Sequence, residues 1–212
     1  MPHDRADSRG RRRYFTIASS PSEEDITIVM RVPPQPSSVK RALLAAPVGW
    51  HVVASRLAGD FVLPDDTSKP LAFIAGGVGI APFRSMAQHM VDTGSHRDIV
   101  MLYANWRADE VLFQDVFEGA SKLGMKTKYV LSDVAHLPAG WTGPTGLVDA
   151  EMVRREVPDY LDRTFFVSGP HAMVRSVVVE LRSLGAKPWR IKRDFYDGAA
   201  GIGVNHRAGH KV

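Results

Sequence analysis

The chain has 212 residues, 44% hydrophobic and 24% charged, with 27 Lys and Arg against 23 Asp and Glu for a formal net charge of +4. That length suits one large domain or two small ones at roughly 100–200 residues per domain, and the composition excludes the low-hydrophobicity, high-charge regime of disorder. With no cysteine, the chain has no disulfide, thiolate zinc site or cysteine-ligated iron–sulfur cluster of its own, so redox chemistry would have to come from an organic cofactor.

Much of the positive charge opens the chain, where Arg5, Arg9, Arg11, Arg12 and Arg13 are offset only by Asp4 and Asp7; this reads as a solvated basic tail and not as a nucleic-acid arm. No apolar run approaches the roughly 18–20 residues of a membrane span and no charged-then-apolar leader opens the chain, which leads us to expect a cytoplasmic protein. Two β-like runs follow, residues 14–18 and 25–32, the second alternating Ile26, Ile28 and Met30 on one face. Around the turn at Ser22, Glu23 and Glu24 they predict a hairpin. After a Pro-rich stretch, residues 39–46 predict a short helix and residues 50–54 a further strand. The turn-forming run at 64–70 marks a boundary, dividing the chain into residues 1–66, 67–198 and a tail, 199–212.

Beyond that boundary strands and helices alternate. Strands are expected at 71–75, 99–104, 127–131, 164–167 and 189–191. Phe83, Met86, Ala87, Met90 and Val91 recur at the spacing of one buried helix face behind Pro82 and before Gly94; Phe113, Val116, Phe117 and Ala120 do so before Gly124, and Val174, Val177, Val178 and Leu181 before Gly185. Asp149 suits the cap of a shorter helix starting at Ala150. This alternation predicts an α/β nucleotide-binding domain, a five-stranded parallel sheet with helices on both faces. Ligands of such sheets sit at the carboxyl ends of the strands.

Two loops at those ends carry chemistry. Gly76, Gly77, Val78 and Gly79, followed by Ile80-Ala81-Pro82, join an apolar strand to a helix, where a tight backbone turn and free helix amides suit a pyrophosphate. On spacing alone, close strand–helix packing explains the glycines as well, since the run is not G-x-G-x-x-G. Ser168, Gly169 and Pro170 form the second loop, with a small hydroxyl at a strand end. Arg13, Tyr14, Phe15 and Thr16 are a third feature: alternation puts Arg13 and Phe15 on one face and Tyr14 and Thr16 on the other, a set that suits a flat phosphorylated cofactor.

Taken in order, R-x-[FY]-[ST] at Arg13–Thr16, G-D-F-x-L-P from Gly59, G-G-x-G-I-A-P from Gly76 and the G-P-x-x-M run from Gly169 make the chain resemble the ferredoxin–NADP reductase family of flavoproteins over roughly residues 13–198. The resemblance implies an antiparallel flavin barrel, here partial, before the nucleotide domain, and FAD and NADH or NADPH as cofactors. It gives Arg13 the flavin pyrophosphate, Phe15 a packing role on the flavin and Thr16 a hydrogen bond near the flavin N5 edge. Ser37, Ser38, Val39 and Lys40 would hold FAD phosphate through a helix start. Gly76, Gly77, Val78 and Gly79 would cradle the dinucleotide, and Gly169 and Pro170 its nicotinamide end. Asp194, Phe195 and Tyr196, just past the last strand, resemble the terminal aromatic segment beside the flavin. Thr16 and Ser168 are the expected catalytic pair.

Three departures shape the expectation. Ser168 stands where many relatives have cysteine, which predicts slower hydride transfer. Asp133 falls where NADP-selective relatives carry arginine, so a 2′-phosphate is repelled and NADH favoured, with Arg107 close enough to matter. Only twelve polar residues precede Arg13, too few for the three strands that come first in the family, so the barrel is expected to be incomplete: strands from another chain, a shortened reading frame and a poor flavin site are the alternatives. His206 and His210 share an i, i+4 spacing in a Gly-rich tail, and without H-E-x-x-H no metal is assigned. The sequence therefore predicts an FAD-dependent NAD(P)H oxidoreductase passing electrons to a separate protein, quinone or small molecule; the alternative is a non-catalytic nucleotide-binding subunit that needs another chain.

Overall fold

The computed structural model describes residues 7, 8, 10 and 12–196. Five strands, β1 (Leu71–Gly76), β2 (Ile99–Asn105), β3 (Met125–Leu131), β4 (Thr164–Pro170) and β5 (Ile191–Tyr196), form one sheet in the order β3-β2-β1-β4-β5. All four pairings are parallel. The chain winds outward from β1 through β2 to β3, then crosses to the other side of β1 to lay down β4 and β5. That reversal opens a crevice between the carboxyl ends of β1 and β4, where ligands of such sheets bind.

The helices divide between the two faces as predicted. α2 (Ala81–Thr93) and α3 (Gln114–Ser121) bury Phe83, Met86, Met90, Val116 and Phe117 against Leu71, Phe73, Met101 and Tyr103. α4 (Ala150–Glu156) and α5 (His171–Ser183) bury Met152, Val153, Val174, Val177 and Leu181 against Ile74, Leu102, Phe165 and Val167 on the other face. Each fully buried Phe or Leu here contributes about 1.5–3 kcal/mol of transfer free energy. Val91 departs from the expected stripe: it is exposed at the rim of α2. Gly94 ends α2 in the left-handed conformation, and the Asp149 carboxylate accepts from the Met152 amide at 2.8 Å to cap α4. At the amino ends of the strands the buried Arg163 guanidinium donates to the Leu71 carbonyl at 2.9 Å and pairs with Asp98 and Asp159, tying β1, β2 and β4 together.

Two sequence expectations need correction. The last strand is not at 189–191, which lies largely in a 3₁₀ turn (Pro188–Arg190); β5 runs from Ile191 to Tyr196. Pro188 supplies no amide and suits the first turn of a helix, so extended pairing with β4 begins only at Phe165↔Ile191. Asp194, Phe195 and Tyr196 thus lie within the last strand and not past it. The charges at Lys192, Arg193 and Asp194 suit an edge strand, where they discourage pairing with a further chain.

The antiparallel half-barrel expected before the sheet does not form. Residues 14–18 and 25–32 meet only at an isolated antiparallel bridge, Ile17↔Ile28, with one backbone hydrogen bond from Ala18 to Thr27. Residues 50–54 pair with nothing in the described residues and leave Val52 and Val53 exposed. Two-stranded ribbons are marginal in water without a third strand or a packed face. The one regular element in this stretch is α1 (Ser38–Ala45), capped by Ser37, whose hydroxyl accepts from the Lys40 amide at 3.3 Å. Among the described residues no helix is long and apolar enough to cross a membrane. His206, His210 and the tail lie outside the described residues.

Candidate functional site

The two glycine-bearing loops interlock at the carboxyl ends of adjacent strands. β1 leads through Gly76 into a 3₁₀ turn (Gly77–Ile80) and directly into α2, which has no side-chain cap and no acidic residue in its first turn. The amides of this turn and the positive end of α2 are therefore not neutralised locally. Gly77 takes a φ of +50° with nothing within 4 Å of a would-be β-carbon, so its open side faces free space. Gly79 is closed in: a β-carbon there would lie 2.5 Å from the Ser168 carbonyl oxygen and 2.6 Å from the Gly169 backbone. This contact means that the first loop requires glycine for close approach to the second, and the crevice floor is backbone from both.

Ser168 is buried within β4, in register with Ala75 of β1 on one side and Asp194 of β5 on the other. Alternation puts all three on the sheet face covered by α2. The Thr16 hydroxyl donates to the Asp194 carboxylate at 3.4 Å, so of the expected catalytic pair Thr16 bonds the acid and Ser168 is its register neighbour on the adjacent strand. Burial pushes the Asp194 carboxyl above its ordinary value, while Thr16 and the Phe195 amide pull it part of the way back. Gly169 pairs with Phe195 and Pro170 with Tyr196, and the Phe195 ring meets His171 edge-on with centroids 4.8 Å apart. The sequence reading named Asp194 with the terminal aromatic segment and gave its carboxyl no role of its own.

Residues 14–27 reach the crevice by docking on α2, immediately beyond the glycine loop. Arg84 pairs with Glu23 and donates to the Ala18 carbonyl, and the Ser85 hydroxyl donates to the Ser19 carbonyl at 2.7 Å. The Arg84 guanidinium and the Ser20 amide hold the Glu23 carboxyl below its ordinary range. Phe61 adds a second tether, edge-on to Phe83 and Phe166. The sequence reading took Glu23 only as a turn residue and passed over Arg84, since neither charge stands out until the fold brings them together across 61 positions.

Arg13, Ser38 and the start of α1 are brought together by an anion. The Asp7 carboxylate takes both Arg13 Nη2 contacts, at 2.6 and 2.8 Å, and accepts from the Ser38 amide at 3.0 Å. Val39 is buried in the first turn of α1, and the Lys40 ammonium donates to the Arg31 carbonyl at 2.6 Å. Phe15 is half-buried.

At the edge of the sheet Asp133 follows the carboxyl end of β3. Backbone bonds from Ser132 to Asn105 and from Asp133 to Trp106, both 3.0 Å, hold it beside the end of β2. Its carboxylate is buried and accepts from His136 Nδ1 at 2.9 Å and Arg107 Nε at 2.8 Å, and these partners hold it below the ordinary carboxylate range. Arg107 and His136 remain exposed. Asn105, a buried amide ending an otherwise apolar strand, has no partner for either end of its side chain among the described residues. A polar residue closing an apolar run was the available signal, and sequence reading passed over it.

Comparison with known proteins agrees with this geometry. Residues 73–178 match the family model of the oxidoreductase NAD-binding domain. The chain is 28% identical over 192 residues to the stachydrine N-demethylase reductase subunit Stc4 of Rhizobium meliloti (strain 1021), covering 89% of this chain and 54% of that protein. It is 30% identical over 125 residues to NADH-cytochrome b5 reductase 1 of Cryptococcus neoformans var. neoformans serotype D (strain JEC21), covering 57% of this chain and 42% of the relative. The crystal structure of the Amycolatopsis cytochrome P450 reductase GcoB superposes with a TM-score of 0.72 at 23% identity, over 92% of this chain and 59% of that one. The chain spans about half the length of the curated relatives it matches. With the switch-point crevice, the glycine loop and the sheet order all in place, the chain belongs to the oxidoreductase NAD-binding domain family, within the ferredoxin–NADP reductase-like flavoproteins.

Proposed function

We propose that the protein is an FAD-dependent oxidoreductase that takes hydride from NADH and passes electrons to a separate acceptor, a protein, quinone or small molecule. The observation that carries this reading is the interlock of Gly79 with Ser168 and Gly169, which builds a backbone-lined floor at the switch point of a parallel sheet. A dinucleotide fits such a floor because Gly77 leaves its open side free and α2 begins with no side-chain cap and no acidic residue in its first turn. A flavin diphosphate fits the place where Arg13 and the Ser38 amide already hold a carboxylate. Residues 1–66 would belong to the flavin-binding lobe, residues 67–198 to the nucleotide domain and 199–212 to a tail, with the strands that complete the lobe supplied from outside the described segments.

The chemistry supplied by the cofactors is hydride transfer from nicotinamide to flavin and release of the electrons onward. The chain's own residues position and exclude. Gly76, Gly77, Val78 and Gly79 hold the dinucleotide by backbone, while Gly169 and Pro170 bound its nicotinamide end. Thr16 offers its hydroxyl to Asp194 and Ser168 lies beside that acid in register, and the raised Asp194 carboxyl keeps a proton more readily than an exposed aspartate. Arg13, Phe15, Ser37, Ser38, Val39 and Lys40 bind the flavin. The Asp133 carboxylate opposes a 2′-phosphate, favouring NADH, although the Arg107 guanidinium beside it weakens that opposition.

The test is flavin titration of the purified chain, followed by NADH oxidation with ferricyanide as acceptor. Expected are flavin absorbance retained on FAD addition and NADH-dependent turnover, with FAD retention lost in Arg13→Ala while the sheet domain stays folded. A colourless protein that gains no flavin absorbance returns the chain to the alternative, a nucleotide-binding subunit without turnover.

A further inference from the structure

The Asp7 carboxylate sits where an anionic ligand is expected. Both of its contacts with Arg13 Nη2 are short, and the pair is mostly buried. The Ser38 amide donates to Asp7 Oδ2 at 3.0 Å, and the Asp7 amide returns a hydrogen bond to the Ser38 hydroxyl at 3.2 Å, a reciprocal arrangement like a capping box assembled across 31 positions. A tight turn secures it: the Gly10 amide donates to the Asp7 carbonyl at 2.9 Å, and Arg13 Nη1 donates to the Gly10 carbonyl at 3.1 Å. Such a two-sided grip, guanidinium on one side and helix-start amide on the other, is the donor set that a phosphate oxygen would use.

We propose that Asp7 is a built-in competitor of the flavin diphosphate, an internal carboxylate that closes the Arg13–Ser38 anion site and has to leave before a phosphorylated cofactor enters. The proposal rests on the flavin reading of Arg13 and Ser38 given above. Asp7 is tethered only six residues from Arg13, so it meets the site at the high effective concentration of an intramolecular partner. It brings one negative charge and one carboxylate, whereas a diphosphate brings more charge and more acceptor oxygens for the same donors. The closed form therefore lowers affinity without abolishing binding: apparent affinity falls by the fraction of chains with the site open. Loading with flavin would free Asp7 and the turn at Gly10 from α1.

Calorimetric titration of FAD and of inorganic pyrophosphate into the wild-type chain, Asp7→Asn and Asp7→Ala tests this. Both variants are expected to bind both ligands at least about tenfold more tightly, as for a site open in about one chain in ten. Equal FAD affinity in all three proteins overturns the competitor role and leaves the flavin reading standing. Tighter pyrophosphate binding by the variants with no FAD binding by any of the three supports the competitor role and removes the flavin reading. Absence of pyrophosphate binding throughout overturns the proposal. Should the variants lose their fold, the wild-type chain decides: saturating pyrophosphate must shift the Asp7 and Ser38 amide resonances, and resonances that stay in place overturn it.

Discussion

Gly79 and Ser168 approach through their backbones so closely that a β-carbon on Gly79 would lie 2.5 Å from the Ser168 carbonyl oxygen. Backbone on both sides has no rotamer by which to yield, so Gly79→Ala must push the turn after β1 away from β4. Overpacking of this kind costs about 1–3 kcal/mol, and each kcal/mol lowers Tm by roughly 2–4 °C in a chain of this size. The substitution should lower Tm and weaken NADH binding together, because the same displacement opens the crevice floor. Thermal denaturation and NADH titration check it, and an unchanged Tm would mean that the two turns are not in contact.

Arg84 holds residues 18–23 against α2 through Glu23 and the Ala18 carbonyl, and Arg84→Met should release that segment. Hydrogen bonds to charged groups contribute about 1.5–3 kcal/mol where they are sheltered. Limited proteolysis between residues 18 and 27 should accelerate in the variant while the sheet core stays protected. The pH dependence has a definite sign. Arg84 holds Glu23 below its ordinary value of 4.5, so its stabilisation is present above that value and is lost as pH falls through the depressed folded one. The same cleavage should therefore appear in the wild-type chain on acidification, and Glu23→Gln should remove that pH dependence.

Asp194 works in the opposite sense. Burial raises its carboxyl above the ordinary 3.8, so the folded state binds a proton that the unfolded chain has already lost. Stability then falls as pH rises from 3.8 through the raised value, and the penalty persists at neutral pH. Asp194→Asn should raise Tm at pH 7 and lose that advantage below pH 3.8, where both forms are uncharged. If the acid also holds a proton for the reaction, turnover should fall while Tm rises. A variant less stable at pH 7 would mean that the carboxylate is held by interactions stronger than its desolvation.

Much of the sheet domain was legible because its signals are local. The i, i+3, i+4 stripes of α2, α3 and α5 follow from side-chain period, and the glycines that end α2 and α5 mark real stops. Asp149 caps α4 at its expected position, whereas α1 starts one residue before the expected 39–46 and is capped by Ser37. What stayed hidden depends on distance along the chain or on pairing. β5 reads as polar because it is an edge strand, and its partner β4 alone decides where it starts. The strands expected at 14–18, 25–32 and 50–54 carry fitting β patterns, yet pattern is not pairing, and they meet only at Ile17↔Ile28. Within the site, the glycine loop could be read directly, whereas Asp194, Arg84 and Asp7 acquire their roles only when the fold brings in Thr16, Glu23 and Arg13.

Cofactor choice supplies the last test. Asp133 follows the carboxyl end of β3, its charge met by Arg107 Nε at 2.8 Å and one oxygen accepting from His136 Nδ1 at 2.9 Å, and both partners are exposed. Under the proposed function two effects oppose each other: Asp133 would repel a 2′-phosphate, and Arg107, once released, would attract it. Asp133→Asn removes the repulsion and frees Arg107 in one step, so NADPH should gain about tenfold or more in kcat/KM relative to NADH, about 1.4 kcal/mol of discrimination. Adding Arg107→Ala to Asp133→Asn should cancel most of that gain, because a neutral pocket has nothing to hold the phosphate. Should the single Asp133 variant keep the wild-type ratio of NADH to NADPH turnover, the carboxylate serves only to orient Arg107 and His136, and the choice between the two nucleotides is made elsewhere.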